Sequence, residues 1–215
     1  MSLDRVQPCL FILSGEHSTL PLAELQAALE AEKYQYALKE HRERIAIYDV
    51  SPNGAALATQ RTALVNLAQR VLFEVPMVEN QIFKGVEEID FQLFIRKGSR
   101  FGVQITRIRK EHKSVDIEEL QRKIGSIIWY AMKGKVAVDL DAPDVLFIGV
   151  IYGERFFFGI YLASRDRRYF FNRRSPNRPF FVPSAMDPKI ARVMVNFSRA
   201  SHGDNFMDPF CGTGG

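Results

Sequence analysis

Two hydrophobic periodicities alternate along this 215-residue chain, and each predicts its own element type. Pro8, Cys9, Leu10, Phe11, Ile12, Leu13 and Ser14 form a compact apolar run ending at Gly15, the pattern of a buried strand. Pro21 then stands where a first-turn proline belongs, and Leu22, Leu25, Ala28 and Leu29 make one helical stripe. Ile45 and Ile47 alternate with Ala46 and Tyr48 as a second strand, which Pro52, Asn53 and Gly54 break. Leu64, Leu67, Ala68, Val71 and Leu72 fall at helical spacing and predict a helix over 60–73.

The alternation changes in the second half. Phe101, Val103 and Ile105 alternate with Gly102, Gln104 and Thr106, which predicts a strand over 101–109. Asp116 with Glu119 is a capping box. The helix it opens has Ile117, Leu120, Ile124, Ile127, Ile128 and Ala131 inside. Gly125 in its middle costs about 1 kcal/mol against alanine and predicts a close approach to a neighbouring backbone. Val136, Val138 and Leu140 alternate as a further strand, and Pro143 breaks it. Val145 to Tyr152 reads as a buried strand, Gly153–Glu154 as a turn, and Phe156 to Leu162 as the returning partner. Asp187 (cap) and Pro188 start a last helix lined by Ile190, Ala191, Met194 and Phe197. Gly203–Asp204 turn the chain into a strand at Asn205–Met207, which feeds Asp208, Pro209, Phe210, Cys211, Gly212, Thr213, Gly214 and Gly215. The class is α+β. The expected division is a small N-terminal domain over 1–60, with a border as late as 95, and a second domain over 61–163. A linker at 164–180 and the start of an α/β domain at 181–215 follow.

Charge alters this picture more than composition does. The net charge of +4 conceals 8 basic and 13 acidic residues over 1–95 against 18 basic and 9 acidic over 96–180. A middle segment so basic points to a polyanion partner, with a solvated basic face as the alternative. Arg96, Lys97, Arg100, Arg107, Arg109, Lys110 and Lys113 crowd the strand at 101–109. Arg165, Arg167, Arg168, Arg173, Arg174 and Arg178 follow within fourteen residues, interleaved with Tyr169, Phe170 and Phe171. Arginine forks suit phosphates and aromatic faces suit unstacked bases, so RNA contact is expected. The alternative is aromatics packing the linker while the arginines stay in water. Cys9 and Cys211 lack metal-ligand companions, so neither metal nor disulfide is expected. His17 and His41 suit surface or local hydrogen-bonding roles. With no leader pattern and no apolar run near the roughly 20 residues of a membrane span, a monomeric cytoplasmic protein with no membrane contact is the expectation.

The order of features over roughly 60–163 resembles a THUMP domain, an RNA-binding module of RNA-modifying enzymes. The features are the basic strand, His112–Lys113, the capped helix with Ile124–Gly125, Val138-Asp139-Leu140, Pro143–Asp144 and a hairpin. The resemblance implies a preceding ferredoxin-like domain. Arg178-Pro179-Phe180-Phe181-Val182-Pro183, a helix, and then Asp208 to Gly215 resemble the entry to the catalytic domain of THUMP-containing guanine-N2 methyltransferases, the tRNA guanine-10 branch best. That likeness implies S-adenosylmethionine at Asp208, Pro209, Phe210, Gly212, Thr213 and Gly214, under Phe180, Phe181 and Pro183. It implies tRNA as partner and methyl transfer to N2 of guanosine, expected at position 10. The glycines let backbone approach a cofactor closely. The family's later Asp-Pro-Pro-Tyr-like motif is missing from these residues, so no catalytic residue is expected here and this piece alone is expected to be inactive. A non-enzymatic RNA-binding module, or part of a ribosomal-RNA guanine-N2 or adenine-N6 methyltransferase, are the alternatives.

Overall fold

A computed structural model of the chain describes residues 5–108, 112, 114–178 and 185–211, with Arg167 described by its backbone alone. The elements in chain order begin with β1 (Gln7–Leu13), α1 (Leu20–Ala31), β2 (Tyr36–Arg42), β3 (Ile45–Val50), α2 (Pro52–Arg61) and β4 (Val65–Pro76). There follow α3 (Glu79–Glu87), β5 (Arg100–Arg107), α4 (Ile117–Ala131), β6 (Ala137–Val138), β7 (Val145–Tyr152) and β8 (Arg155–Ser164). The last two are α5 (Arg167–Asn172) and α6 (Pro188–Phe197). Two compact units divide the chain: residues 2–68 with 162–215, and residues 69–161. The class is mixed, as the sequence implies. Among the described residues no helix is long and apolar enough to cross a membrane, and no cluster of His, Cys, Asp and Glu is arranged to hold a metal.

In the first unit the succession is β-α-β-β-α-β, with strand neighbours in the order β2-β3-β1-β4. The β1–β3 pair is antiparallel, from Gln7 opposite Val50 to Ile12 opposite Ile45. Cys9, Phe11 and Leu13 on one face of β1 meet Leu25, Ala28 and Leu29 of α1 and Ala55 and Ala58 of α2. The alanines let both helices lie close to the strands. His17 Nδ1 accepts the Thr19 and Leu20 backbone N–H groups, each at 3.2 Å, and so closes the open start of α1.

Several sequence expectations fail here for identifiable reasons. Residues 65–76 form a strand, and no helix spans 60–73. Strands β1 and β8 pair with both edges of β4, but only Val65, Ala68 and Gln69 along it are fully buried, so its burial does not follow a two-residue alternation and its apolar residues match helical spacing by accident. The composition of Val65, Val71, Phe73 and Val75 favours the strand. Pro52-Asn53-Gly54, read as a breaker, opens α2: the Ser51 Oγ accepts the Gly54 N–H at 3.1 Å and Pro52 occupies the first turn. Gly54 is also a close-approach glycine, since a Cβ there would lie 2.7 Å from the Tyr34 ring. Gly125, expected in that role, faces open space.

The second unit has strand neighbours β4-β8-β7-β5-β6. β5 runs parallel to β7, from Phe101 opposite Val145 to Arg107 opposite Ile151, and β7 pairs antiparallel with β8. The Asp116 carboxylate accepts the Glu119 N–H at 3.0 Å, so α4 starts at the expected cap. Leu120, Ile124 and Ile128 bury against Phe101, Phe147, Phe156 and Phe158. Ala131 is exposed, and Met132, one turn beyond Ile128, takes the inner position. The alternation at 136–140 yields only the two-residue β6. Asn205–Met207 form no strand; among the described residues no strand lies beside them to take their backbone hydrogen bonds.

The element that fixes the first unit is a carboxylate. Glu24, on α1, is fully buried, and its oxygens accept the Ala63 and Leu64 N–H groups, each at 2.8 Å. The Asn196 amide of α6 donates to it as well, at 2.8 Å. Burial raises the carboxyl above its ordinary range, while these donors and the Arg165 guanidinium pull it back down. Arg61 extends the network to Asn196 at 3.0 Å, to Glu32 at 2.7 Å and to the Ala200 carbonyl. Glu24→Ala removes one acceptor from three buried donors. The expected loss is about 2–4 kcal/mol of stability, read as a lower urea midpoint; a shift below about 0.5 kcal/mol, the scale of an ordinary surface substitution, would exclude this role.

Candidate nucleic-acid interface

The loop after β1, the β2–β3 turn and α5 enclose a cleft of about 630 Å³ in the first unit. Ser14, Gly15 and Glu16 form one wall, and Arg44, Asn66, Arg165, Arg168, Arg174 and Lys189 contribute most of the rest. Two adjacent aromatics have opposite fates. Phe170 is buried with Ala63, Leu64 and Val193, whereas Phe171 lines the cleft and stays 59% exposed. Packing therefore anchors α5 through Phe170 and presents Phe171.

The linker arginines separate in the same way. Arg165 donates to the Ala63 carbonyl and lies beside Glu24. Arg173 stacks over the Tyr169 ring at 3.6 Å, and Arg192 donates to the Tyr169 hydroxyl at 3.0 Å. Arg168 is exposed on the cleft. Arg174, also exposed, sits 3.9 Å from Asp187 and 5.8 Å from the Phe171 ring centroid. Arg44 and Lys189 join this set from distant sequence positions, and nothing in the linear pattern marks them.

In the second unit the expected basic cluster is dispersed. Arg96 and Lys97 are exposed in the turn before β5. Arg100 is occupied structurally: Asp139 lies 3.0 Å from one guanidinium nitrogen and Asp144 3.4 Å from the other. The Arg107 guanidinium donates to the Val115 carbonyl at 3.0 Å. Arg109, Lys110 and Lys113 lie outside the described residues, as does the side chain of Arg167. A separate groove of about 870 Å³ runs between α4 and β6, lined by Phe101, Gly125, Trp129, Tyr130, Val138 and Leu140 among others. The sequence reading missed its two aromatics, because Trp129 and Tyr130 fall outside the inner stripe of α4. Their position on the outer face was the available signal.

The glycine-rich loop expected to hold the cofactor is only partly described. Asp208 accepts the Phe210 N–H at 2.9 Å, and Phe210 is 92% exposed. Gly212, Thr213 and Gly214, with Phe180, Phe181 and Pro183, lie outside the described residues. Asp208, Pro209 and Phe210 by themselves form no cradle for a nucleoside, so no chemical step is assigned to them.

Comparison with known proteins bears on both surfaces. Residues 78–160 match the THUMP domain, and residues 176–215 match an RMKL-like methyltransferase domain. The chain is 34% identical over 221 residues to the tRNA (guanine(10)-N2)-dimethyltransferase of Methanocaldococcus jannaschii, an alignment covering 95% of this chain and 61% of that protein. It is 34% identical over 206 residues to the enzyme of the same name from Methanothermobacter thermautotrophicus, covering 96% and 59%. The chain thus spans about three-fifths of the length of these relatives. Among solved structures, a methyltransferase complexed with SAH, SMU.472, superposes with a TM-score of 0.59 at 15% identity, covering 100% of this chain and 54% of that one. TrmN from Thermus thermophilus superposes with a TM-score of 0.51 at 18% identity, covering 74% and 46%. At these identities the structures establish likeness of fold.

The Arg100 cluster yields a pH prediction. Asp139 accepts the Ala142 and Asp141 N–H groups, and Asp144 accepts the Arg100 N–H, with the guanidinium beside both. These donors hold both carboxyls below their ordinary range. The stability they contribute is present above that range and is lost as pH falls through the depressed values. The melting-temperature gap between the wild type and Asp139→Asn/Asp144→Asn is expected to be largest near about pH 7 and to close in acid. A gap that widens in acid would contradict this assignment.

Proposed function

We propose that this chain is the tRNA-binding portion of an S-adenosylmethionine-dependent tRNA guanine-N2 methyltransferase acting at guanosine 10. The observation that carries the proposal is identity of 34% along nearly the whole chain to two archaeal enzymes of that specificity. The matches to a THUMP domain and, after it, a methyltransferase domain support the same division of labour. On this reading the β-α-β-β-α-β part of the first unit is the ferredoxin-like domain that precedes the module. Residues 78–160 and the arginine-rich segment hold RNA, and Asp208 to Gly214 open the cofactor site. Phe180, Phe181 and Pro183 would close over the cofactor when it is bound, which supplies the methyl group. The partner is tRNA, and the setting we infer is the cytoplasm.

The arrangement of cations refines which side chains meet phosphate. Arg100 is neutralised by two carboxylates and Arg173 is spread over Tyr169. Arg96, Lys97, Arg168 and Arg174 are exposed and well placed for a polyanion. Phosphate contacts release counterions, so affinity must fall with salt. Binding of a tRNA transcript to the 215-residue chain, followed by fluorescence anisotropy across a salt series, tests this. Arg168→Glu with Arg174→Glu is expected to weaken binding at least about tenfold and to flatten the logarithmic salt slope by roughly 1.5. Unchanged affinity and slope would assign these arginines to a solvated face.

A further inference from the structure

The following inference rests on the RNA-binding reading and gives it a local form. We propose that the cleft of the first unit is a stacking subsite for one unpaired nucleotide of the bound RNA. The base lies against Phe171, and the flanking phosphates lie on Arg44, Arg168 and Arg174.

Four observations converge on this. The cleft, at about 630 Å³, has the size of a small-ligand pocket and is concave. A duplex backbone needs a long track, whereas a half-open hollow of this size admits a splayed nucleotide. Its lining has a positive excess: Arg44, Arg165, Arg168, Arg174 and Lys189 stand against Glu16 and Asp187. Both acids are engaged within the protein. Glu16 lies 2.5 Å from the Lys189 ammonium, and Asp187 caps α6 by accepting the Lys189 N–H at 2.8 Å. Phe171 is the third observation, a large apolar ring held in contact with water at the edge of a charged hollow. Phe170, Tyr169 and Val193 already pack this part of the unit, so the fold does not need Phe171 inside. Its ring offers a π-face to any base.

The fourth observation concerns how the cations are held. Arg44 lies across Gly15: a Cβ there would stand 3.4 Å from the Arg44 Nε, an ordinary packing distance. That nitrogen donates to the Leu13 carbonyl at 3.4 Å, which orients the guanidinium along the wall of the cleft. Arg174, Ser14 and Asn66 also line the cleft, and the last two offer short polar groups to a base edge or ribose.

The experiment uses the 215-residue chain with two probes, a single-stranded RNA containing 2-aminopurine and a blunt RNA duplex of the same sequence. Phe171→Ala is expected to weaken single-strand binding by roughly fivefold to a hundredfold and to abolish the quenching of 2-aminopurine, with duplex binding unchanged. Phe171→Trp should retain both the affinity and the quenching. Circular dichroism checks that the variants fold, which the exposure of Phe171 makes straightforward. Equal single-strand affinity for wild type and Phe171→Ala overturns the subsite, as does an equal loss on the duplex. Failure of the wild type to bind either probe overturns the RNA-binding reading itself, a result distinct from loss of the subsite alone.

Discussion

A single buried carboxylate holds the first unit in its arrangement. Glu24 leaves water at a cost that only close donors offset. Those donors come from the two residues before β4, through the Ala63 and Leu64 N–H groups, and from α6, through Asn196. One side chain thus joins three segments that lie far apart in sequence. Arg61 ties the same asparagine to Glu32 and to the turn after α6. Ser201 donates to the Ala31 carbonyl at 2.6 Å and extends the attachment along α1. The final helices are consequently part of this unit, even though the chain leaves it at residue 69 and returns only at 162.

That attachment creates the basic cleft. Phe170 packs beside Ala63 and Leu64, the residues whose N–H groups Glu24 holds. Fixing Phe170 fixes α5, which places Arg168 and Phe171, with Arg174 just beyond its end, in the cleft beside the loop after β1. The second unit offers a different chemistry. Its groove is lined by Trp129, Tyr130, Val138 and Leu140, with Arg122 its only cation among the described residues. Of the cations along 96–113, Arg100 is engaged by Asp139 and Asp144 and Arg107 by a backbone carbonyl, while Arg96 and Lys97 stay exposed.

What the sequence disclosed was local. Caps at Asp116 and Asp187, the parallel-sheet strand at 145–152 and the hairpin after it depend on neighbouring residues and were legible. β4 was misread because its fully buried positions, Val65, Ala68 and Gln69, do not follow the two-residue alternation that marks a half-buried strand. α2 was misread because Ser51–Pro52, a cap and a first-turn proline, was taken for a breaker. The Glu24 network and the recruitment of Arg44 and Lys189 depend on contacts across 31 to 173 positions, beyond any spacing rule. The different fates of Phe170 and Phe171 likewise follow from tertiary packing and from nothing in their own sequence context.

The central claim is that RNA is held in the cleft built on α5. Ultraviolet cross-linking of bound tRNA to the 215-residue chain, with adducts mapped by mass spectrometry, tests it most directly. The account predicts adducts at Phe171 and in the peptides carrying Arg44 and Arg168. Adducts confined to the Trp129–Tyr130 groove, with none in α5, would contradict it.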